Sequence, residues 1–308
     1  MLKIDNLCKK FGRFTAVDNL TLYVPKGDIF GFVGPNGAGK TTTMKIVAGL
    51  LRETSGKVYV DGVDALRDYR KVKEHIGYMP DFFGVYDNLK VSEYLDFYAS
   101  IYGIYDVEKD KICDDLLELV DLSNKKGEYV DSLSRGMKQR LCLARSLIHN
   151  PKLLILDEPA SGMDPRARFE MKEILKSLKD MGKTVIISSH ILSELSEICT
   201  SIGIIDKGKI VAQGKVQDIM MKLESNRTIK MTVINKAEEA VVMLKEIPQV
   251  ISVVRNENNI EIAIKGGDEE IQNVLKKLVI NDIPVISFGE ENGKLEDIFM
   301  KVTERSEG

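Results

Sequence analysis

Residues 34–41 read Gly-Pro-Asn-Gly-Ala-Gly-Lys-Thr, a match to G-x-x-x-x-G-K-[ST]. No other stretch restricts the fold as strongly, because such a loop needs a buried strand before it and a helix after it. Both flanks are present: Ile29-Phe-Gly-Phe-Val33 is a short apolar strand, and Thr41–Leu51 reads as a helix. Gly34, Gly37 and Gly39 let the backbone curl until successive N–H groups point at one anion, at a helix N-terminus. Pro35, Asn36 and Ala38 complete the loop and Thr42 continues the turn. Lys40 is placed to reach β- and γ-phosphates, and the Thr41 hydroxyl to reach the Mg²⁺ that bridges them. ATP and Mg²⁺ are therefore the expected ligands. The bland alternative, a chance match in a glycine-rich turn, is weakened by the flanking strand and helix.

The rest of the first two-thirds alternates strand and helix signals. Leu2–Lys10 and Ala16–Val24 alternate polar and apolar residues, as half-buried strands do. Leu153-Leu-Ile-Leu156 and Thr184-Val-Ile-Ile187 are wholly apolar, the pattern of a parallel sheet buried on both faces. Pro165 opens a helix that runs to about Asp180. The stretch 82–150 is helical in pattern and reads as an insertion into this α/β core. The strand 153–156 ends in Asp157-Glu158-Pro159. An Asp at the end of a buried strand is where a P-loop enzyme holds Mg²⁺. Neighbouring strand residues point to opposite faces, which leaves Glu158 free for another task, that of general base toward the attacking water. An acidic turn before a proline is the competing reading.

Beyond a boundary near Glu224, the order is strand, helix, strand, strand, helix, strand: Thr228–Ile234, Lys236–Lys245, Val250–Val254, Ile260–Ile264, Glu269–Leu278 and Val285–Phe288. That order suggests a small ferredoxin-like domain, followed by an amphipathic piece, Leu295–Val302. The expected division is 1–224 and 225–308. A length of 308 residues suits two domains of about 100–200 residues each. With 44 % hydrophobic and 30 % charged residues the chain has material for ordinary cores. A net charge of -3 gives no basic footprint for nucleic acid. No run of about 18 apolar residues is present, and Met1-Leu-Lys-Ile-Asp-Asn lacks the pattern of a secretory signal. Cys8, Cys113, Cys142 and Cys199 form no C-x-x-C pair and are expected to be reduced thiols. If the chain serves a membrane, it does so from the cytoplasmic face and through a partner.

Over roughly residues 1–220 these motifs resemble the ATP-binding cassette (ABC) ATPases, in the order that family keeps. Leu133-Ser134-Arg135-Gly136-Met137 is similar to its signature loop, usually LSGGQ; Ser161-Gly162-Met163-Asp164 to its D-loop; and His190, after Ile187-Ser-Ser, to its switch histidine. Phe11 stands where these proteins place an aromatic against adenine. The resemblance implies an α/β P-loop core, mainly parallel with an antiparallel β subdomain and a helical insertion. It also implies that Ser134 and Gly136 hold the γ-phosphate of ATP bound to a second ATPase subunit, so that ATP closes a head-to-tail dimer and hydrolysis reopens it. Read alone, Ser134 is a helix N-cap before a helix from about Arg135 to Ile148. Arg135 and Met137 depart from the usual signature, and Asp81 stands where the family has a Gln that senses Mg²⁺ and water, which makes Asp81 a candidate catalytic residue and, with Thr41 and Asp157, a candidate Mg²⁺ ligand. The C-terminal piece is similar to that of bacterial exporter ATPases of the multidrug and antibiotic type. The implied function is the ATPase of an exporter with a separate polytopic membrane subunit. The alternatives are a soluble ABC ATPase without transport, or a regulatory subunit that binds nucleotide without turning it over. Lys40, Asp157, Glu158 and His190 weigh against the last.

Overall fold

The computed structural model describes residues 1–82, 84–219 and 226–291. The chain divides into two compact units, Met1–Lys215 and Val216–Gly308. The boundary expected between 224 and 225, and the amphipathic piece Leu295–Val302, lie outside the described residues.

The first unit is built on two sheets. β1 (Leu2–Phe11), β2 (Phe14–Val24), β4 (Ser55–Val60) and β5 (Val63–Asp64) form an antiparallel sheet in the order β2-β1-β4-β5. β3 (Ile29–Val33), β6 (Ile76–Met79), β7 (Leu153–Leu156), β8 (Thr184–Ser189), β9 (Ser201–Asp206) and β10 (Lys209–Lys215) form a second sheet in the order β10-β9-β3-β8-β7-β6. In this sheet only β10 runs antiparallel, against β9; the other neighbours are parallel. β3 and β7 are buried at every residue, as their apolar runs predict. Register aligns Val33 with Ser189 and Leu156 with Ile187. The loops after β3, β7 and β8 therefore leave the sheet side by side at its C-terminal edge, where α/β sheets bind ligands.

The helix α1 (Lys40–Val47) buries Met44, Ile46 and Val47 in one cluster with Phe32, Ile155 and Ile186. It is shorter than the expected 41–51: Gly49, at φ +67°, donates to Ile46 and turns the chain out of the helix. In the stretch 82–150 the structure places α3 (Val91–Ile101), α4 (Asp106–Leu119) and α5 (Arg135–Leu147), separated by extended and 3₁₀ segments. α2 (Tyr69–Lys73), α6 (Pro165–Asp180) and α7 (Leu192–Ser196) complete the unit, with Pro165 at the first turn of α6. All four cysteines are free, three of them buried. Among the described residues no helix is long and apolar enough to cross a membrane.

The second unit runs β11 (Asn226–Val233), α8 (Ala237–Lys245), β12 (Val250–Asn256), β13 (Asn259–Lys265), α9 (Asp268–Ile280) and β14 (Val285–Glu291). Its antiparallel sheet has the order β12-β13-β11-β14. Alternate residues Ile229, Met231 and Val233 of β11, and Ile260, Ile262 and Ile264 of β13, face Ala240, Leu244, Val274 and Leu278 of the two helices in a separate core. This is the ferredoxin-like topology that the element order predicts.

Candidate functional site

The glycine-rich loop is tight because its neighbours leave no room for side chains. A Cβ at Gly34 would stand 2.5 Å from the Ile205 carbonyl oxygen, and one at Gly39 2.5 Å from that of Ala16. Gly39 also takes φ +108° as the cap of α1, a conformation closed to other residues. Lys40 is 5 % exposed and folds back along the loop: Nζ donates to the carbonyls of Gly34 at 2.6 Å and Pro35 at 3.3 Å. The same nitrogen lies 3.4 Å from Glu158 Oε1, an ion pair without hydrogen-bond alignment. Asn36 and Gly37 are exposed at the tip, Ala38 is buried, and Thr42 is half-buried in α1.

Asp157 follows β7 and is 1 % exposed. Its Oδ1 accepts from Thr41 Oγ1 at 3.0 Å and from Ser188 Oγ at 2.7 Å, while Oδ2 is buried with no partner. Burial pushes its carboxyl above the ordinary range; the two hydroxyls pull it down, and the charges of Asp81 and Glu158 push it up again. Glu158 sits at φ +49°. Its N–H donates to Ser188 Oγ at 2.8 Å, and His190 Nδ1 lies 3.0 Å from its Oε2. Ser188 thus ties the two acidic residues together, using its proton toward Asp157 and a lone pair toward Glu158. The Ile187-Ser-Ser run does not by itself announce this task of Ser188; a hydroxyl two residues before His190, on a strand parallel to β7, is the signal that marks it.

Asp81 is exposed just beyond β6, with its charge acting at Asp157 and at the Tyr78 hydroxyl, whose pKa is raised chiefly by burial. Among the described residues no three His, Cys, Asp or Glu side chains are arranged to hold a metal. Thr41 Oγ1 and Asp157, with its orphaned Oδ2, are oxygen donors of the kind that could hold a Mg²⁺ ion. Phe11 is 48 % exposed at the end of the β1–β2 hairpin, with Lys9 Nζ 4.7 Å over its ring. Ser134 caps α5, its Oγ accepting from Met137 N–H at 3.3 Å, and Arg135 is exposed beside it. Gly136 has a packing reason as well: a Cβ there would stand 2.7 Å from that of Ala167. Asp164 caps α6, accepting from Arg166 and Ala167 N–H at 3.0 Å each. Among the described residues no hydrogen bond or ion pair joins Ser134–Met137 to the loop 34–42 of the same chain.

Comparison with known proteins gives the family. The ABC transporter profile matches residues 17–161, and that of the DrrA1-3-like ATP-binding protein C-terminal domain matches 214–303. The linearmycin resistance ATP-binding protein LnrL of Bacillus subtilis is 33 % identical over 308 residues, covering 99 % of each chain. The chain belongs to the ABC transporter family, among its ATP-binding proteins. The bacitracin transport ATP-binding protein BcrA of Bacillus licheniformis is 35 % identical over 305 residues, 98 % of this chain and 97 % of its own. Among solved structures, an ATP-binding subunit of an ABC transporter matches at 27 % identity with TM-score 0.65, covering 73 % of this chain and 93 % of its own. A dimeric ATP-binding cassette in a post-hydrolysis state with ADP and Pi matches at 25 % identity and TM-score 0.64, over 70 % of this chain and 99 % of its own.

This ABC protein is thus an ATPase subunit that powers a membrane transporter. ABC ATPases of this kind dimerise and work with membrane subunits. Chemically, the cluster joins a glycine-rich loop to a buried carboxylate beside a hydroxyl, and to a second carboxylate held between an ammonium and an imidazole.

Proposed function

We propose that this chain drives an exporter as one of two ATPase subunits on the inner face of the cell membrane, docked to a separate polytopic membrane subunit. One observation supports the reaction most directly: Glu158 lies between Lys40 Nζ at 3.4 Å and His190 Nδ1 at 3.0 Å. Backbone N–H groups of 34–41 and Lys40 bind the β- and γ-phosphates of ATP, and Phe11 stacks on adenine. Thr41 and Asp157 would hold Mg²⁺, which when bound would neutralise phosphate charge, and Asp81 acts on that site through its field. Glu158 takes a proton from the attacking water, and His190 keeps the carboxylate oriented. Ser134 and Gly136 meet the γ-phosphate of ATP held by the partner subunit, Arg135 and Met137 complete that signature loop, and Asp164 sets the D-loop between the two. The relatives concerned with linearmycin resistance and bacitracin transport support outward movement of an antibiotic-like compound.

Glu158→Gln tests this. The amide keeps size and hydrogen bonding but takes no proton, so hydrolysis falls by about 10²–10⁴-fold while ATP still binds. Mg-ATP then accumulates a stable dimer on size-exclusion chromatography. Adding Ser134→Arg abolishes that dimer by filling the place of the phosphate; a double variant that still dimerises refutes the sandwich.

A further inference from the structure

The first two turns of α5 touch the segment after Glu158 at two places. Gln139 is 1 % exposed; its Nε2 donates to the Ser161 carbonyl oxygen at 3.1 Å, and its Oε1 is buried without a partner. One turn earlier the Arg135 guanidinium lies on Gly162, where a Cβ would stand 2.6 Å from Cζ. Gly162 takes φ +67°, so the missing Cβ serves both the turn and the contact. Ser161 in turn donates its N–H to the Glu158 carbonyl oxygen at 3.0 Å. A line of hydrogen bonds therefore runs from Gln139 through Ser161 to Glu158.

Glu158 needs that support. A non-glycine residue at positive φ stores strain on the order of 1–3 kcal/mol and persists only where its surroundings over-determine it. Here its N–H is held by Ser188 and its C=O by Ser161. A space-filling role alone does not account for Gln139: a buried amide with one end unpartnered is a worse filler than Leu, because the orphaned oxygen forfeits its hydration.

We propose that Gln139 and Arg135 are positioning residues for ATP hydrolysis: from α5 they set Ser161 and Gly162, and through Ser161 the backbone of Glu158. The helix whose N-terminus faces the partner's nucleotide thereby fixes the base of its own site. This rests on the reading of Glu158 as the base.

Gln139→Leu keeps the volume and removes the amide. It lowers kcat by up to about 10²-fold, the cost of a misplaced group, while ATP affinity and Tm stay near those of the parent. The decisive measurement is non-additivity. Gln139→Leu/Glu158→Gln hydrolyses ATP no more slowly than Glu158→Gln alone, because both changes act on one proton transfer. Arg135→Ala alters an exposed side chain and shows the same pattern with a smaller loss, which keeps the test available if the Leu variant does not fold. Losses that multiply, or an unchanged kcat in both single variants, overturn the positioning role while leaving Glu158 as the base. Parental turnover in Glu158→Gln alone overturns both.

Discussion

Asp157→Asn separates what the site costs the fold from what it contributes to the reaction. Asp157 is 1 % exposed with one oxygen unpartnered, and burial, with the charges of Asp81 and Glu158 added, raises its pKa above the ordinary 3.8. The folded state therefore holds the proton more tightly than the unfolded chain. The resulting destabilisation is absent below the unfolded value, grows as pH rises through the folded value, and is complete above it. Asn keeps an acceptor for Thr41 and Ser188 and never ionises. It is therefore more stable than the parent at pH 8, and the advantage shrinks as pH falls toward about 4. Relief of such an active-site conflict is worth about 0.5–2 kcal/mol, or a Tm gain of about 1–8 °C for a unit of this size. Thermal unfolding by circular dichroism, in EDTA without nucleotide, reads the difference at pH 8 and pH 5. Mg-ATP works in the other direction: the parent gains about 2.7 kcal/mol at a hundredfold excess over Kd, and the variant, on the proposed reading of Asp157 as a Mg²⁺ ligand, gains less, so its advantage narrows. A Tm lower than the parent's at pH 8, or a gain that does not change with pH, refutes the argument.

Two further substitutions probe the cations. Lys40→Ala removes the donor to Gly34 and Pro35 and the partner of Glu158, and turnover falls roughly 10²–10³-fold; undiminished turnover in the purified variant sinks the phosphate-loop assignment. Asp81→Ala removes an exposed negative charge that acts at Asp157, so half-saturation by Mg²⁺ rises, by no more than about fivefold because an exposed charge contributes about 0–1 kcal/mol. Superimposable Mg²⁺ titrations of variant and parent contradict any such role.

What was legible in the sequence was local. The runs 29–33, 153–156 and 184–187 announce buried strands by composition, and two of them run into the motifs on which the proposed chemistry rests. The second unit could be read because its element order admits few topologies. What stayed hidden depends on residues that meet only after folding. Ser188 serves Asp157 and Glu158 because parallel register sets β8 beside β7. Gln139 looks like one polar residue of an amphipathic helix; its burial follows from α5 lying close against α6, through Gly136 and Ala167. Arg135 stood out only as a departure from a familiar loop, yet its guanidinium has a seat on Gly162 of the same chain.

The charges of the site also bear on when hydrolysis can begin. Lys40 is nearly buried, and its ammonium is divided among two loop carbonyls and Glu158. A triphosphate in the loop offers that nitrogen a stronger anion than one carboxylate, and a single ammonium has three protons to share. On the proposed mechanism, ATP binding therefore draws Lys40 toward the phosphates and loosens its hold on Glu158, leaving His190 and the backbone contacts to Ser188 and Ser161 to orient the carboxylate. On that mechanism Lys40 pairs with Glu158 until a phosphate competes for the ammonium, and the carboxylate is then left to the attacking water. Lys40 then has two tasks that use the same charge in sequence, so its loss damages binding and chemistry together, whereas loss of the Glu158 carboxylate damages chemistry alone.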